Sequence, residues 1–329
     1  MVNHFPISLQ IRSFVVLEQE HIQEEKSPQA PWKRWGKLAL KLAITIVVFY
    51  LISQKLDWKA VWELAAGINP LGVLFALLIF ALSKWLGAMR LQHFWRACEV
   101  RISNGLNNRL YILSMFYNLI LPGGIGGDGY KVYYLNRHFK AKVRPLTSAA
   151  LLDRANGLAL LIVLVLAISP MVNLPWGLSE WLWLCIPVVP AGYWLGMRLL
   201  FKRFTATFWR TTAWSAGVQI GQAIVAVSLL WALGIRENVA DYVFILMLSA
   251  VVLVVPIPSF GGLGMREWVM LFGAEYLGLD EGVGVTASLA TYLVVLLVSM
   301  TGVWYHFRPG KLEDPHRDAA LENELSTEQ

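Results

Sequence analysis

The chain has 329 residues, of which 57% are hydrophobic and only 15% are charged, and its mean hydropathy is +0.53. The apolar residues stand in long blocks rather than in amphipathic patterns, which predicts an integral membrane protein and excludes an ordinary soluble domain. A formal net charge of +6 can attract nucleic acid, but in a membrane protein basic residues first report orientation, so we expect no nucleic-acid partner.

The chain begins with a polar segment, residues 1–37, that mixes glutamates with basic residues. It lacks the basic-then-apolar order and the small-residue cleavage site of a signal peptide. We therefore predict a cytosolic tail there, a membrane domain over 38–306 and a second cytosolic tail over 307–329.

Six apolar blocks in the membrane domain approach the roughly 20 residues that a helix needs to cross a hydrocarbon core of about 30 Å. Tryptophans stand near the ends of several blocks, where an amphipathic indole suits the headgroup level. The predicted fold class is an all-α polytopic membrane protein. Its six predicted spans are 38–54, 69–88, 148–170, 181–199, 211–233 and 284–305.

Two further apolar segments are short or broken. The segment Leu110–Leu121 has only a dozen residues before Pro122, so at about 1.5 Å per residue it climbs roughly 18 Å and stops near the bilayer midplane. The segment 242–257 likewise stops at a pair of prolines. Both stops coincide with a glycine run, GGIG at 123–126 and GGLG at 261–264. We predict that both segments are re-entrant or broken helices.

Basic residues predict the orientation of these segments. Arginines and lysines stand on both sides of the first broken segment, within 90–109 and 131–144, which places both of its flanks in the cytoplasm. Basic residues are nearly absent beside the second broken segment, so its flanks are predicted to be external. Both termini are then cytoplasmic, and the loops near Pro175 and Glu237 are external.

The order of segments repeats with opposite orientation. The first half, about 38–172, contains two spans, a broken segment and a third span, and the second half, about 181–306, has the same order starting from outside. The two glycine runs lie 138 positions apart. Paired, Gly/Pro-interrupted segments in two oppositely oriented halves indicate a transporter site near the bilayer midplane. We therefore predict an inverted-topology repeat around a central polar cavity.

Two functions are open for the glycine runs. Glycine permits positive φ and close approach of a ligand to the backbone, and N–H groups at the start of the following helix attract anions such as a lipid phosphate. Alternatively, the runs only allow close helix packing, as small residues do in membranes.

Ionisable residues near the runs are the next candidates, because a charge at membrane depth is expensive and usually faces a cavity or a partner. Asp128 and Arg266 each stand four residues after the second glycine of their run. They could form an ion pair between the halves, or Arg266 could hold a phosphate. Asp153 and Arg154 form a second candidate pair, for which an interfacial position is the alternative. Two weaker polar candidates, which could equally bond across helices, are Asn118 and Gln219.

Three motifs in this order resemble the lysylphosphatidylglycerol synthase transmembrane family, also called the flippase-like domain family. They are N-x-x-L-P-G-G-x-G-G-D-G-Y-K, D-R-x-x-G and P-x-P-S-x-G-G-x-G-x-R-E, and the resemblance covers about 38–306. Family members typically carry Arg in a D-x-x-R after the first run, where this chain has Lys131. From the motifs and the nearby charges, we predict substrate-binding residues at Asn118, Gly123, Gly124, Gly126, Gly127, Asp128, Lys131, Asp153, Arg154, Gly261, Gly262, Gly264, Arg266 and Glu267.

The resemblance implies movement of lipid across a membrane. We expect a transporter or flippase-like protein of the plasma (inner) membrane that moves an anionic or glycosylated lipid. Some family members carry a fused cytosolic aminoacyl-transferase domain, for which we expect no room in this chain. A P-loop motif is absent from the sequence, so we expect an ion gradient or passive scrambling rather than direct use of ATP.

Two alternatives remain open. The first is an intramembrane transferase acting on a lipid-linked donor, with Asp128, Asp153 or Glu267 as general base. The second is a non-transporting partner of an envelope-lipid biosynthesis enzyme. We expect no enzymatic activity, because no nucleophile–His pattern is present, and no metal or other cofactor, because two cysteines and six scattered histidines offer no ligand spacing.

Overall fold

The structure is a computed structural model that describes residues 58–120, 125–172, 174, 179–254 and 264–308. These residues form helices and short connections, with no strand among them. The first predicted span, the predicted N-terminal tail, residues 309–329 of the predicted C-terminal tail and the glycines at 123, 124, 261 and 262 lie outside the described residues.

The described residues form twelve α-helices. Short 3₁₀ segments at Ser169–Met171, Trp183–Cys185 and Lys202–Thr207 adjoin three of the longer helices. In chain order the helices are α1 Trp58–Ala66, α2 Pro70–Ala97, α3 Asn104–Ile120, α4 Gly126–Phe139, α5 Val143–Ile168, α6 Ser179–Leu182, α7 Val188–Leu200, α8 Phe208–Ala232, α9 Val239–Val252, α10 Met265–Leu277, α11 Glu281–Met300 and α12 Val303–Phe307.

Among the described residues, five helical segments are long and apolar enough to cross a membrane. They confirm five of the six predicted spans, and the sixth lies outside the described residues. Tryptophans near several ends, Trp183, Trp231 and Trp304, are exposed, as expected of residues at the headgroup level. Trp95, near the end of Pro70–Ala97, is buried in the core instead. The five segments are Pro70–Ala97, Val143–Met171, Trp183–Leu200, Lys202–Ala232 and Glu281–Phe307.

Local sequence explains where two of these helices begin. The Oδ1 of Asn69 accepts a hydrogen bond from the Leu71 N–H at 2.9 Å, and Pro70 has a φ that suits a first helical turn. Asp280 caps α11 in the same way, by accepting from the Val283 N–H at 3.0 Å. These caps satisfy N–H groups that have no partner within the helix.

Helices α2 and α8 form the most extensive helix pair of the described residues. Small residues bring their backbones together: a Cβ added at Gly72 would meet Ala232, and one added at Gly221 would meet Ser83. As residue numbers rise along α2, the residues that they contact on α8 have falling numbers. The two helices are therefore antiparallel. Close packing of small residues replaces the hydrophobic driving force that membrane helices lack.

The two predicted broken segments each appear as a pair of helices. In the first pair, Gly127 at the start of α4 lies against Ser114 of α3, and the Lys131 ammonium lies 5.2 Å from the ring centre of Tyr111. In the second pair, a Cβ added at Gly273 of α10 would meet Ile245 of α9. The pair α3–α4 is therefore antiparallel, and α9 and α10 pack against each other.

Candidate functional site

A cavity of about 360 Å³ lies between helices of the two predicted halves. We call it the main cavity. Helices α2 and α3 line it from the first half, and α8, α9, α10 and α11 line it from the second. Its polar lining consists of Lys84, Tyr111, Asn118, Gln222, Arg266, Thr291 and Ser299, and its apolar lining includes Phe80, Met115, Val225, Leu246 and Val295.

Two cations line the main cavity, and neither has an ion-pair partner within 4 Å in the described part of the chain. The Lys84 ammonium lies 4.5 Å from the ring centre of Phe80, which is a cation–π contact rather than a neutralising one. The Nη1 of Arg266 is buried and has no hydrogen-bond partner among the described residues. The lining residues that the structure describes include no aspartate or glutamate, so this lining is electropositive.

Glu267 follows Arg266 in sequence but points elsewhere. Its Oε2 accepts from the Gly264 N–H at 2.6 Å and its Oε1 accepts from the Ser288 hydroxyl at 2.9 Å. Gly264 has a φ of +91°, a conformation open to glycine and strained for other residues. The carboxylate therefore caps α10 and joins it to α11, and both of its oxygens are occupied.

A buried ion pair lies on the other side of Tyr111. Arg90 of α2 donates to both oxygens of Asp153 on α5, at 2.7 and 3.0 Å. Its remaining Nη1 donates to the Ser215 hydroxyl of α8 at 2.7 Å, and Ser215 donates to Asn156. Side chains of Arg90 and Asp153 are less than a tenth exposed. This bidentate arrangement is the geometry in which arginine binds a carboxylate most strongly.

The Asp128 carboxylate has two cationic partners. Its Oδ1 lies 2.7 Å from the Lys131 ammonium, and its Oδ2 accepts from the Nε of Arg154. The predicted ion pair between Asp128 and Arg266 is therefore wrong: Arg154, early in α5, occupies the carboxylate that Arg266 would need. We refer to Arg90, Asp153, Asp128, Lys131 and Arg154 together as the charge network.

Two predicted polar candidates hold backbones together. The Oδ1 of Asn118 accepts from the Gly127 N–H at 2.8 Å and so closes the α3–α4 hairpin, while the residue also lines the main cavity. Gln219 of α8 donates to the Gly157 carbonyl of α5 at 2.8 Å. For Gln219 the alternative of a bond across helices is the observed one.

The structure thus divides the predicted site residues into groups. Asn118 and Arg266 line the main cavity; Asp128, Lys131, Asp153 and Arg154 form the charge network; and Gly264 and Glu267 cap α10. Gly126 begins α4, and Gly127 packs so closely on α3 that a Cβ would lie 1.9 Å from the Ser114 carbonyl oxygen. The predicted residues outside the described ranges are Gly123, Gly124, Gly261 and Gly262.

Two charged residues of the site, Lys84 and Arg90, were not among the residues that the motifs predicted. Lys84 stands inside a predicted span, in the sequence ALSKWLG, and Arg90 lies shortly after it. An ionisable residue within a span is a signal that could have found Lys84, whereas Arg90 was interpreted only as an orientation marker. As for metals, the residues described contain no group of three His, Cys, Asp or Glu side chains that could hold an ion.

The long apolar helices, packed around a polar cavity with buried charges, define a multi-pass α-helical membrane protein. Residues 38–208 match the family described as the lysylphosphatidylglycerol synthase TM region. The chain therefore belongs to this family, as the motifs predicted. The match ends at the first residue of α8, so the second glycine run lies beyond the matched residues. None of the curated proteins compared matches the chain.

Proposed function

We propose that the protein moves a lipid across the membrane and that the main cavity receives the lipid headgroup. The supporting observation is a cavity with an electropositive described lining, between apolar helices of both predicted halves. A polar cavity between two halves is where secondary transporters bind substrate, and rocking of the halves exposes it to each side in turn.

An inverted repeat is part of this proposal. We pair α2, α3, α4 and α5 of the first half with α8, α9, α10 and α11 of the second. Under this pairing, each extensive contact between two of these helices is matched by a contact between the two corresponding helices. For example, α2 packs on α5 and α11, as α8 packs on α11 and α5. The corresponding helices α2 and α8 are antiparallel, as expected when the two halves have opposite orientations.

The same reasoning supports re-entrant hairpins. Because α3 and α4 are antiparallel, Asn104 and Lys140 lie at the same end of that hairpin, which agrees with basic residues on both flanks. We therefore expect cysteines introduced at 104 and 140 to be labelled from the same, cytoplasmic, side in a background lacking Cys98 and Cys185. Labelling from opposite sides would rule out the re-entrant hairpin and, with it, the inverted repeat.

The central experiment is reconstitution into vesicles that contain a fluorescent lipid. We expect the protein to bring inner-leaflet lipid to the outer leaflet, where an added reductant bleaches it, without changing the lipid chemically. Protein-free vesicles and vesicles with heat-denatured protein are the controls. Chemical conversion of the lipid, or movement no faster than in the controls, would contradict the proposal.

Transport is favoured over an intramembrane transferase by the state of the carboxylates. A general base must reach the proton that it removes, but none of Asp128, Asp153 and Glu267 lines the main cavity. Each is engaged instead, in an ion pair or a helix cap.

A further inference from the structure

The main cavity carries two positive charges from different halves of the protein. Lys84 stands on α2 and Arg266 on α10, and both side chains line the same space. Like charges that share a cavity repel each other, and this repulsion becomes stronger as water is removed from the cavity. The arrangement is favourable only if an anion joins them.

No counter-ion lies within 4 Å of either cation among the described residues. The described lining residues include no carboxylate, and the adjoining chain segments 121–124 and 255–263 contain no aspartate or glutamate. The closest acidic residue in sequence, Glu267, has both oxygens occupied at the start of α10. We therefore expect the anion that joins the two cations to come from the ligand.

We propose that the main cavity selects lipid headgroups with a phosphate and a net negative charge, and that Lys84 and Arg266 bind that phosphate. This inference rests on the proposed function and identifies the substrate class of the same site. The buried Nη1 of Arg266 needs an acceptor, because an unmade hydrogen bond at a buried donor is costly. A phosphate offers several, in a geometry that suits a planar guanidinium beside a point-like ammonium.

The remaining lining residues suit such a headgroup. Amides and hydroxyls at Asn118, Gln222, Thr291 and Ser299 can bond to glycerol or sugar hydroxyls. A volume of about 360 Å³ falls at the small end of ligand pockets, so it fits a headgroup while the acyl chains stay in the bilayer. A headgroup with an added ammonium, as in an aminoacylated lipid, would be repelled by both cations.

Binding to the purified full-length protein in detergent tests this selection. Three probes differ in headgroup charge: phosphatidylglycerol is anionic, phosphatidylcholine is zwitterionic and lysylated phosphatidylglycerol is cationic. We expect affinity to fall in that order. Loss of one charge-assisted hydrogen bond in Lys84→Gln or Arg266→Gln should weaken binding of phosphatidylglycerol about tenfold to hundredfold.

Two further variants serve as controls. Lys59→Gln removes the same charge from a side chain that is 85% exposed on α1, and it should leave the order and the affinities unchanged. Lys84→Arg keeps the charge and should keep the preference for the anionic lipid. If a Gln variant fails to fold, the wild-type order of the three lipids still decides the proposal.

Several results would overturn the inference. These are equal binding of the anionic and zwitterionic lipids by the wild type, and an unchanged preference in both Gln variants. Glycerol 3-phosphate separates the sources of phosphate: if it binds as tightly as phosphatidylglycerol, the cavity serves a soluble phosphate ester rather than a lipid.

The vesicle assay keeps this inference distinct from the proposed function. Selective binding of phosphatidylglycerol without movement of any lipid would refute transport and leave the headgroup selection standing. Equal movement of anionic and zwitterionic lipids would support transport and refute the selection.

Discussion

The charge network and the main cavity lie in the same helix bundle but treat their charges in opposite ways. In the charge network, Asp153 and Asp128 each face at least one cation at hydrogen-bonding distance. In the main cavity, Lys84 and Arg266 face no carboxylate of the described lining.

This difference indicates that the charge network is structural and that the main cavity is the candidate binding site. A buried pair that satisfies its own charges needs no ligand and fixes how the helices meet. An unpaired charge at membrane depth costs stability, and residues of this kind mark functional sites by default. The equivalent positions after the two glycine runs show the contrast directly, because Asp128 is partnered twice and the Nη1 of Arg266 has no partner in the described structure.

The largest expected effect is the loss of one partner from the buried pair. Arg90→Gln or Asp153→Asn should each destabilise the protein by about 3–5 kcal/mol, because the other charge stays buried. Unfolding by denaturant in detergent measures the loss. The double change Arg90→Gln with Asp153→Asn should be milder than the sum of the two single changes, and strictly additive losses would show that the pair is not coupled.

The α3–α4 hairpin provides the next test, because it holds Asp128 in the network. Gly127→Ala should cost about 1–3 kcal/mol or more, since a Cβ would lie 1.9 Å from a backbone oxygen of Ser114. Gly129→Ala, two residues later in the same helix, is the matched control: nothing lies within 4 Å of its added Cβ. That change should stabilise by roughly 0.5–1 kcal/mol, and equal effects of the two would contradict the close packing.

Removing a cavity cation should have a smaller effect, and of opposite sign. Without bound lipid, Lys84→Gln and Arg266→Gln should raise the free energy of unfolding by about 1 kcal/mol, because each removes one of two like charges that line the same cavity. The thermal unfolding midpoint of delipidated protein measures this. A loss as large as that of Arg90→Gln would mean that the cavity cations have partners and would erase the contrast between the two regions.

The smallest expected effect on stability is the coupling energy between substitutions at Asp128 and Arg266. Because Asp128 is paired within the network and not with Arg266, Asp128→Asn and Arg266→Gln should be additive within about 0.5 kcal/mol. The double variant, unfolded under the same conditions as the single ones, gives the coupling energy. A coupling of more than about 1 kcal/mol would restore the ion pair between the halves.

Cys98, which follows α2 and packs in an apolar cluster with its thiol 3.4 Å from the Pro145 carbonyl oxygen, tests packing without altering stability. Burial raises the pKa of its thiol to about 11, above the roughly 8.5 of a free thiol. Only the thiolate reacts, so labelling in a Cys185→Ala background should be slow at neutral pH and accelerate as pH rises towards 11. Protein denatured in SDS is the control, and equally fast labelling of the folded protein would show that Cys98 is not buried.

Much of the fold could be predicted from the sequence, because membrane spans obey local rules. Apolar length sets where a helix can cross, and five predicted spans coincide with long apolar helices. Glycine and proline mark where helices stop, and α3 and α9 end beside the two predicted stops. The family was likewise readable from motif order, and the match over 38–208 confirms it.

The partners of the charges could not be predicted in the same way. Symmetry between the glycine runs pointed from Asp128 to Arg266, yet the tertiary structure gives Asp128 a lysine one turn away and an arginine from α5. Charge pairing depends on which helices are neighbours and on how each helix is rotated about its axis. A hydropathy profile of the sequence reports neither of these. The sequence alone therefore determined the helices, while their packing decided which charges are neutralised and which are left to line the cavity.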